Sequence, residues 1–243
     1  MPAWRLDAEP SHARVAFSTR RGGVSDPPYD SLNLGRSTED RPESVEENRR
    51  RLLASLGLGA FALATPSQVH GARALEVVRP GAVAECDGVW TRTPGLVLAV
   101  SAADCLPILF TSDRAVAAAH AGWRGLASGI IESTLGSLCG GAELEAEHVR
   151  VHLGPCIREC CYVVGPEVAR QFPRESLREH DGEIRLSLPR AARKRLLDAG
   201  VDDHGIFDTG ACTACEPRWY YSHRRDRGRT GRQWGVAALL VSP

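Results

Sequence analysis

Between Leu75 and Val241 the chain carries eight apolar runs of only three to six residues, and this pattern constrains the fold more than any other feature. The runs are Leu75–Val78, Leu96–Ser101, Pro107–Thr111, Ala115–His120, Val149–Leu153, Gly205–Asp208, Trp219–Tyr221 and Val236–Val241. Their length and their flanking turn residues read as β-strands. Three segments instead show a helical repeat. Ser44-Val-Glu-Glu47 has the form of a capping box, Leu52, Leu53 and Leu56 share one face beyond it, and Gly57 and Gly59 mark the end. A second helix starts near Trp123 and carries Leu126, Ile130, Ile131, Leu135 and Leu138. A third follows Ser187, with Pro189 in its first turn. Strands and helices do not alternate, so the expected class is α+β, with layered sheets covered by helices. The glycine and proline pairs at 22–23, 27–28 and 140–141 read as turns rather than linkers, so residues 1–243 are expected to form a single domain.

Charge narrows the partners. Thirty acidic residues balance thirty basic ones, which argues against a global nucleic-acid or membrane-binding field. Lys194 is the only lysine, so the basic side is almost wholly arginine, a residue suited to anionic ligands. The segment Leu96 to Phe110 is too short and too polar to span a bilayer. The first fifteen residues show no apolar core of a secretory signal, and a cytoplasmic protein is expected. In that compartment the eight cysteines read as thiols or metal ligands rather than disulfides.

Three short segments concentrate chemistry: Gln68-Val-His70-Gly71, Ala103-Asp104-Cys105-Leu-Pro107 and His120-Ala-Gly122-Trp123-Arg124-Gly125. His70, Cys105 and His120 all fall at strand ends or in adjoining loops, where residues distant in sequence can converge. Two imidazoles and a thiolate form a zinc set that leaves a fourth position open, and a metal so held lowers the pKa of a bound water to roughly 7. Spacing alone leaves the ordinary reading open, in which a lone histidine or cysteine is structural. Asp104, beside the cysteine, is either an acid/base or orienting group or the cap of a loop, and Gln68 and Asn48 are candidates of the same kind. Arg124, between two glycines at a helix start, suits an anion, and Arg20, Arg21, Arg224, Arg225 and Arg232 also neighbour glycines. Cys156-x3-Cys160-Cys161 and Cys212-x2-Cys215 admit a four-thiolate zinc site, although the first spacing is poor and ordinary thiols are the default.

The three segments closely resemble motifs of the YfiH/laccase-domain family, whose members have been described as polyphenol oxidases, purine nucleoside phosphorylases and a peptidoglycan editing factor. Thr19 to Ser25, Ser31 to Gly35, Val45 to Arg49, Asp87-Gly88, Gly154-Pro155, Cys212-Thr213, Ser222 to Arg225 and Gly231-Arg232 extend the likeness over nearly the whole chain. One departure is Val163, where the family commonly has glutamate. The resemblance implies a YfiH-like fold and Zn2+ held by His70, Cys105 and His120, with copper the less favoured metal.

It further implies phosphorolysis of adenosine, inosine and methylthioadenosine, together with adenosine deamination. On this reading His70, Cys105, His120, Asp104 and Arg124 serve catalysis, while Arg20, Arg21, Asn48, Gln68, Arg224 and Arg232 bind substrate. A monomer acting on small molecules, nucleoside and phosphate, is expected. The alternative reading is a hydrolase removing a misincorporated amino acid such as serine from a nucleotide-linked muropeptide. Copper-dependent phenol oxidation is disfavoured, because the eight histidines include no His-x-His pair and Met1 is the only methionine. A metal-free Cys–His hydrolase with Cys105 as nucleophile, and a binding module with a purely structural zinc, complete the set.

Overall fold

The computed structural model describes residues 3–5 and 12–241. Two six-stranded sheets stack face to face. The first runs, edge to edge, Ala3–Arg5, Ala13–Ser18, Gln233–Leu239, Leu96–Ala102, Ala62–Pro66 and Gly81–Val83. The second runs Ile206–Asp208, Arg150–Leu153, Leu106–Thr111, Val116–Ala121, Gly88–Thr91 and Ala74–Glu76. A small third sheet orders Val163–Val164, Glu183–Leu186 and Leu177–His180. The helix Pro42–Ser55 covers the first sheet, while Ile130–Ala142 and Leu188–Asp198 cover the second. This is the expected α+β layering.

The central strands are apolar along their whole length because both faces are buried. In Leu96–Ala102, the side chains of Leu96, Leu98 and Val100 enter the core between the sheets, where Phe17, Leu109 and Ala118 meet them. Val97 and Ala99 point the other way and pack with Leu52, Leu56 and Trp234 beneath the helix. In Leu106–Thr111, Ile108 and Phe110 face Ile131, Leu135 and Leu138 in a third cluster. Period-two alternation therefore persists, but between two apolar destinations rather than between core and water.

Several local expectations change. The helix predicted from Ser44 begins at Pro42, with Arg41 preceding it, so Ser44 is a buried first-turn residue and not a cap. Proline at the first helical position needs no amide partner, which lets the start move upstream. The helix predicted from Trp123 is two helices, Trp123–Ala127 and Ile130–Ala142, broken where Gly129 takes φ 91°. The run at Trp219–Tyr221 is not a strand: Trp219 and Tyr220 close turns onto the Glu216 carbonyl. Ala13–Ser18, Ala62–Pro66 and Gly88–Thr91 are strands that the apolar runs did not mark.

Candidate metal centre

Strand pairing assembles the site. Leu106–Thr111 and Val116–Ala121 are antiparallel neighbours with Leu106 opposite Ala121 and Pro107 opposite His120. Cys105 therefore lies at the end of the strand pair where His120 also sits, two positions from it along the register. The loop carrying His70 is tied to the end of the neighbouring sheet by Gln68. The Gln68 amide donates to the Ser101 carbonyl and its oxygen accepts from the Ser101 N–H, each at 2.8 Å. One donor atom from each of His70, Cys105 and His120 lies within 4.8 Å of the other two. His120 is buried, Cys105 half-buried and His70 exposed, so the set is reachable from one side.

Asp87 organises both histidines. Its carboxylate, wholly buried, accepts the backbone N–H groups of Val69, His70 and Gly71 at 3.1, 3.0 and 2.7 Å. Three successive amides directed at one anion hold His70 in the left-handed region, at φ 61°. The same carboxylate accepts from Nδ1 of His120 at 2.8 Å, which leaves Nε2 of that ring for the site. Burial opposes ionisation of Asp87, but the bonds from His120 and from the Gly71 and Val69 amides outweigh it and hold the carboxyl below its usual range. Spacing gave no sign of this role; Asp87 stood out only as part of the Asp-Gly motif.

The thiol is set up as a thiolate. Burial raises the Cys105 pKa, yet the charge and hydrogen bond of His120, with a further bond from His70, bring it down to about 6. Burial likewise opposes a charge on His120, while Cys105 and Asp87 push it up to about 9. Both directions describe one stabilised thiolate–imidazolium contact, in which a divalent cation can replace the proton. Space is reserved for that: a Cβ at Gly122 would sit 3.0 Å from the Cys105 sulfur and 3.4 Å from the His70 ring. A soft thiolate and two imidazoles, one with a carboxylate partner, fit zinc.

The triad opens into a cavity of about 850 Å³, lined also by Gln68, Asp104, Trp123, Arg124, Tyr162, His223, Arg224 and Arg232. Arg124 projects from the first turn of its helix and stacks over the Trp123 ring at 4.5 Å. Asp104, at φ 94°, accepts from the Thr213 hydroxyl and from the Arg224 N–H, both at 2.7 Å. Its carboxylate thus caps the turn that presents Arg224, whose guanidinium donates to the Val163 carbonyl and stacks on Tyr162. Arg232 donates to the carbonyls of Thr230 and Gly231. Burial first, then the charge of Cys105, pushes the Tyr162 phenol up to about 12, so it stays a donor at neutral pH.

Three proposed substrate-binding residues are not among those lining the cavity, and their polar groups are engaged elsewhere. Arg20 bonds the carbonyl and carboxylate of Asp30 and stacks on Tyr221. Arg21 donates to the Arg218 carbonyl and stacks on Trp219. Asn48 is buried, accepting from Val24 N–H and donating to Ser25, Ser31 and Asn33. Their glycine-rich surroundings serve close packing: a Cβ on Gly23 would lie 2.1 Å from the Ser31 carbonyl. Conversely, Trp123, Tyr162 and His223 line the cavity without having been singled out as binding residues.

Among known proteins, the family model described as multi-copper polyphenol oxidoreductase laccase matches residues 14–240. The purine nucleoside phosphorylase YfiH of Escherichia coli (strain K12) is 39% identical over 249 residues, 99% of this chain and 98% of that protein. A purine nucleoside phosphorylase of Deinococcus radiodurans is 41% identical over 231 residues, 92% of this chain and 88% of its own. The crystal structure of YlmD from Geobacillus stearothermophilus superposes with a TM-score of 0.94 at 35% identity, over 99% of this chain and 97% of that one. With the fold, the motifs and the sequence matched along nearly their full length, the chain belongs to the YfiH family of laccase-like proteins.

Proposed function

We propose that the chain is a zinc-dependent purine nucleoside phosphorylase that accepts adenosine, inosine and methylthioadenosine and also deaminates adenosine. The observation that carries this reading is the meeting, in one cavity, of the His70–Cys105–His120 donor set with the arginines 124, 224 and 232. The relatives named as purine nucleoside phosphorylases support the substrate class. Convergence of a third donor, His70, favours a metal over a simple Cys105–His120 dyad, which needs only two groups.

Zinc in this site supplies Lewis acidity. The protein does the rest. Asp87 fixes the ring and tautomer of His120 and the backbone at His70. Arg124 rests its guanidinium face on Trp123, which leaves its N–H edge for a phosphate, and Arg224, stacked on Tyr162, adds the N–H groups not given to the Val163 carbonyl. Those two aromatic rings add flat apolar surface suited to a purine. The Tyr162 hydroxyl stays protonated at neutral pH and so keeps an O–H to donate. Arg20, Arg21 and Asn48 serve structure in this reading, and Asp104 positions Arg224.

The test is zinc-replete protein with inosine and inorganic phosphate, monitored for hypoxanthine and ribose 1-phosphate, with adenosine to inosine conversion followed separately. Absence of both reactions in folded, metal-loaded protein overturns the proposal. Release of serine from a serine-containing muropeptide precursor under the same conditions would favour the editing hydrolase.

A further inference from the structure

Away from the triad, four cysteines converge. Cys160 and Cys161 sit in the loop after strand Arg150–Leu153, and Cys212 and Cys215 in the turn after strand Ile206–Asp208. The two strands are parallel neighbours, so their following loops leave the sheet at one end. The sulfurs of Cys160 and Cys212 are 3.5 Å apart, Cys160 and Cys215 3.4 Å, and Cys161 and Cys215 3.2 Å. All four sulfurs lie within 4.8 Å of one another. Sulfurs about 2.3 Å from a tetrahedral zinc stand roughly 3.8 Å apart, so a modest adjustment completes the shell.

We propose that Cys160, Cys161, Cys212 and Cys215 form a second, tetrathiolate zinc site that pins the two loops together. Binding displaces four thiol protons to solvent and leaves no open coordination position, the pattern of a structural site. The surrounding backbone is built to hold this arrangement. The Cys212 N–H donates to the Glu216 carboxylate, and the Thr213 N–H donates to the Cys156 carbonyl across the isolated bridge between Cys156 and Cys212. Arg185 holds the Cys160 carbonyl at 2.8 Å.

The pinned loops reach the cavity. Tyr162 follows Cys161 directly and lines it. Thr213, between the two cysteines of the turn, donates its hydroxyl to Asp104 and its carbonyl receives Arg225. The second zinc therefore acts as a positioning device for one wall of the site, reading out through Asp104 and Tyr162 without touching substrate.

Metal content of protein purified under reducing conditions tests this independently of the proposed activity. Wild type should carry two zinc per chain, the Cys105→Ser variant one, and a Cys160→Ser/Cys215→Ser variant one. Both of the latter cysteines are exposed, so the double variant should fold. Cobalt added to metal-free Cys105→Ser protein should give an intense near-ultraviolet thiolate-to-cobalt band, which the additional loss of Cys160 and Cys215 abolishes. In zinc-loaded wild type, Cys160 and Cys215 should resist iodoacetamide until a chelator is added. One zinc per wild-type chain that persists in the Cys160→Ser/Cys215→Ser variant would overturn the proposal, as would immediate alkylation of both cysteines. One zinc that survives Cys105→Ser but not the double change would instead sustain it and remove the triad metal.

Discussion

The two sulfur-bearing clusters differ in donor number, access and support. The triad offers three donors of mixed type at the floor of a cavity, with its backbone bent into left-handed conformation at His70 and a buried carboxylate behind it. The cysteine cluster offers four like donors, two of them exposed, at the ends of two loops, and among the described residues no carboxylate is hydrogen-bonded to its sulfurs as Asp87 is to His120. Three donors leave a coordination position for chemistry, whereas four thiolates close the shell. Rigidity is invested differently as well. Asp87 braces two of the donor residues, through the His70 backbone and the His120 ring, while in the cysteine turn the backbone groups of Cys212 and Thr213 are tied down.

Removing one donor from the triad should have the largest effect. Cys105→Ser should lose the triad zinc and reduce phosphorolysis by at least ~100-fold, since a neutral hydroxyl is a poor replacement for one of three protein donors. His70→Ala and His120→Ala should behave alike, whereas Cys139→Ser should keep both metal and activity. Zinc analysis beside kcat/KM decides the matter. Melting temperature should change little, because the core between and outside the sheets does not depend on the loop ends.

Next in size is the carboxylate behind the triad. Asp87→Asn should weaken zinc binding by about 10- to 100-fold, the range for losing a group that orients a metal-bound histidine. Competition with a chromophoric chelator measures it, and unchanged affinity would mean that Asp87 merely folds the loop. A smaller effect is expected at the rim. Arg124→Ala should raise the phosphate KM roughly tenfold, the loss of a charge-assisted hydrogen bond worth about 1.5 kcal/mol, with zinc content intact. Equal phosphate dependence in the variant would remove Arg124 from the anion site.

A last test concerns stability rather than metal or activity, at a histidine outside both clusters. His152 is buried, stacks on Phe207, and neither ring nitrogen has a hydrogen-bond partner among the described residues. Burial, with a lesser contribution from Arg150, lowers its pKa to about 4. The unfolded chain takes up a proton near pH 6.5 and the folded one does not until about 4. Stability should therefore fall as pH drops from 6.5 towards 4, at no more than roughly 1.4 kcal/mol per pH unit. His152→Leu should flatten that limb. An identical acid limb in wild type and variant would show that other groups set it.

Sequence patterns located most of the long central strands, and the helix at Leu188–Asp198, because apolar content and capping residues are local signals. They failed at Trp219–Tyr221, where apolar residues fill turns, and at Gly129, where one left-handed glycine splits a continuous helical repeat. Arg20 and Arg21 looked like binding residues because they precede Gly22-Gly23, and Asn48 because its side chain could orient a ligand or take part in proton transfer. In the fold Gly23 serves close packing, Arg20 and Asn48 bond within the N-terminal loops, and Arg21 reaches across to the Arg218 carbonyl. The poor spacing of Cys156, Cys160 and Cys161 argued against a second metal, yet the cluster uses Cys160 and Cys161 and leaves Cys156 buried beside them.

What the sequence determined by itself is the chemistry available: which runs must be buried, that His70, Cys105 and His120 fall at the ends of such runs, and which family the motifs resemble. Which groups share a site depends on how the strands pair. The pairing of Leu106–Thr111 with Val116–Ala121 brings Cys105 and His120 to the same end of the hairpin. The parallel pairing of Arg150–Leu153 with Ile206–Asp208 delivers two pairs of cysteines to one end of a sheet. Asp87, marked in the sequence only by the Asp-Gly motif, becomes the support of both histidines because the antiparallel pairing of Gly88 with Ala119 sets it beside His120. Metal coordination depends on distances of a few ångströms between residues tens of positions apart, and strand register, a property of the whole sheet, sets those distances.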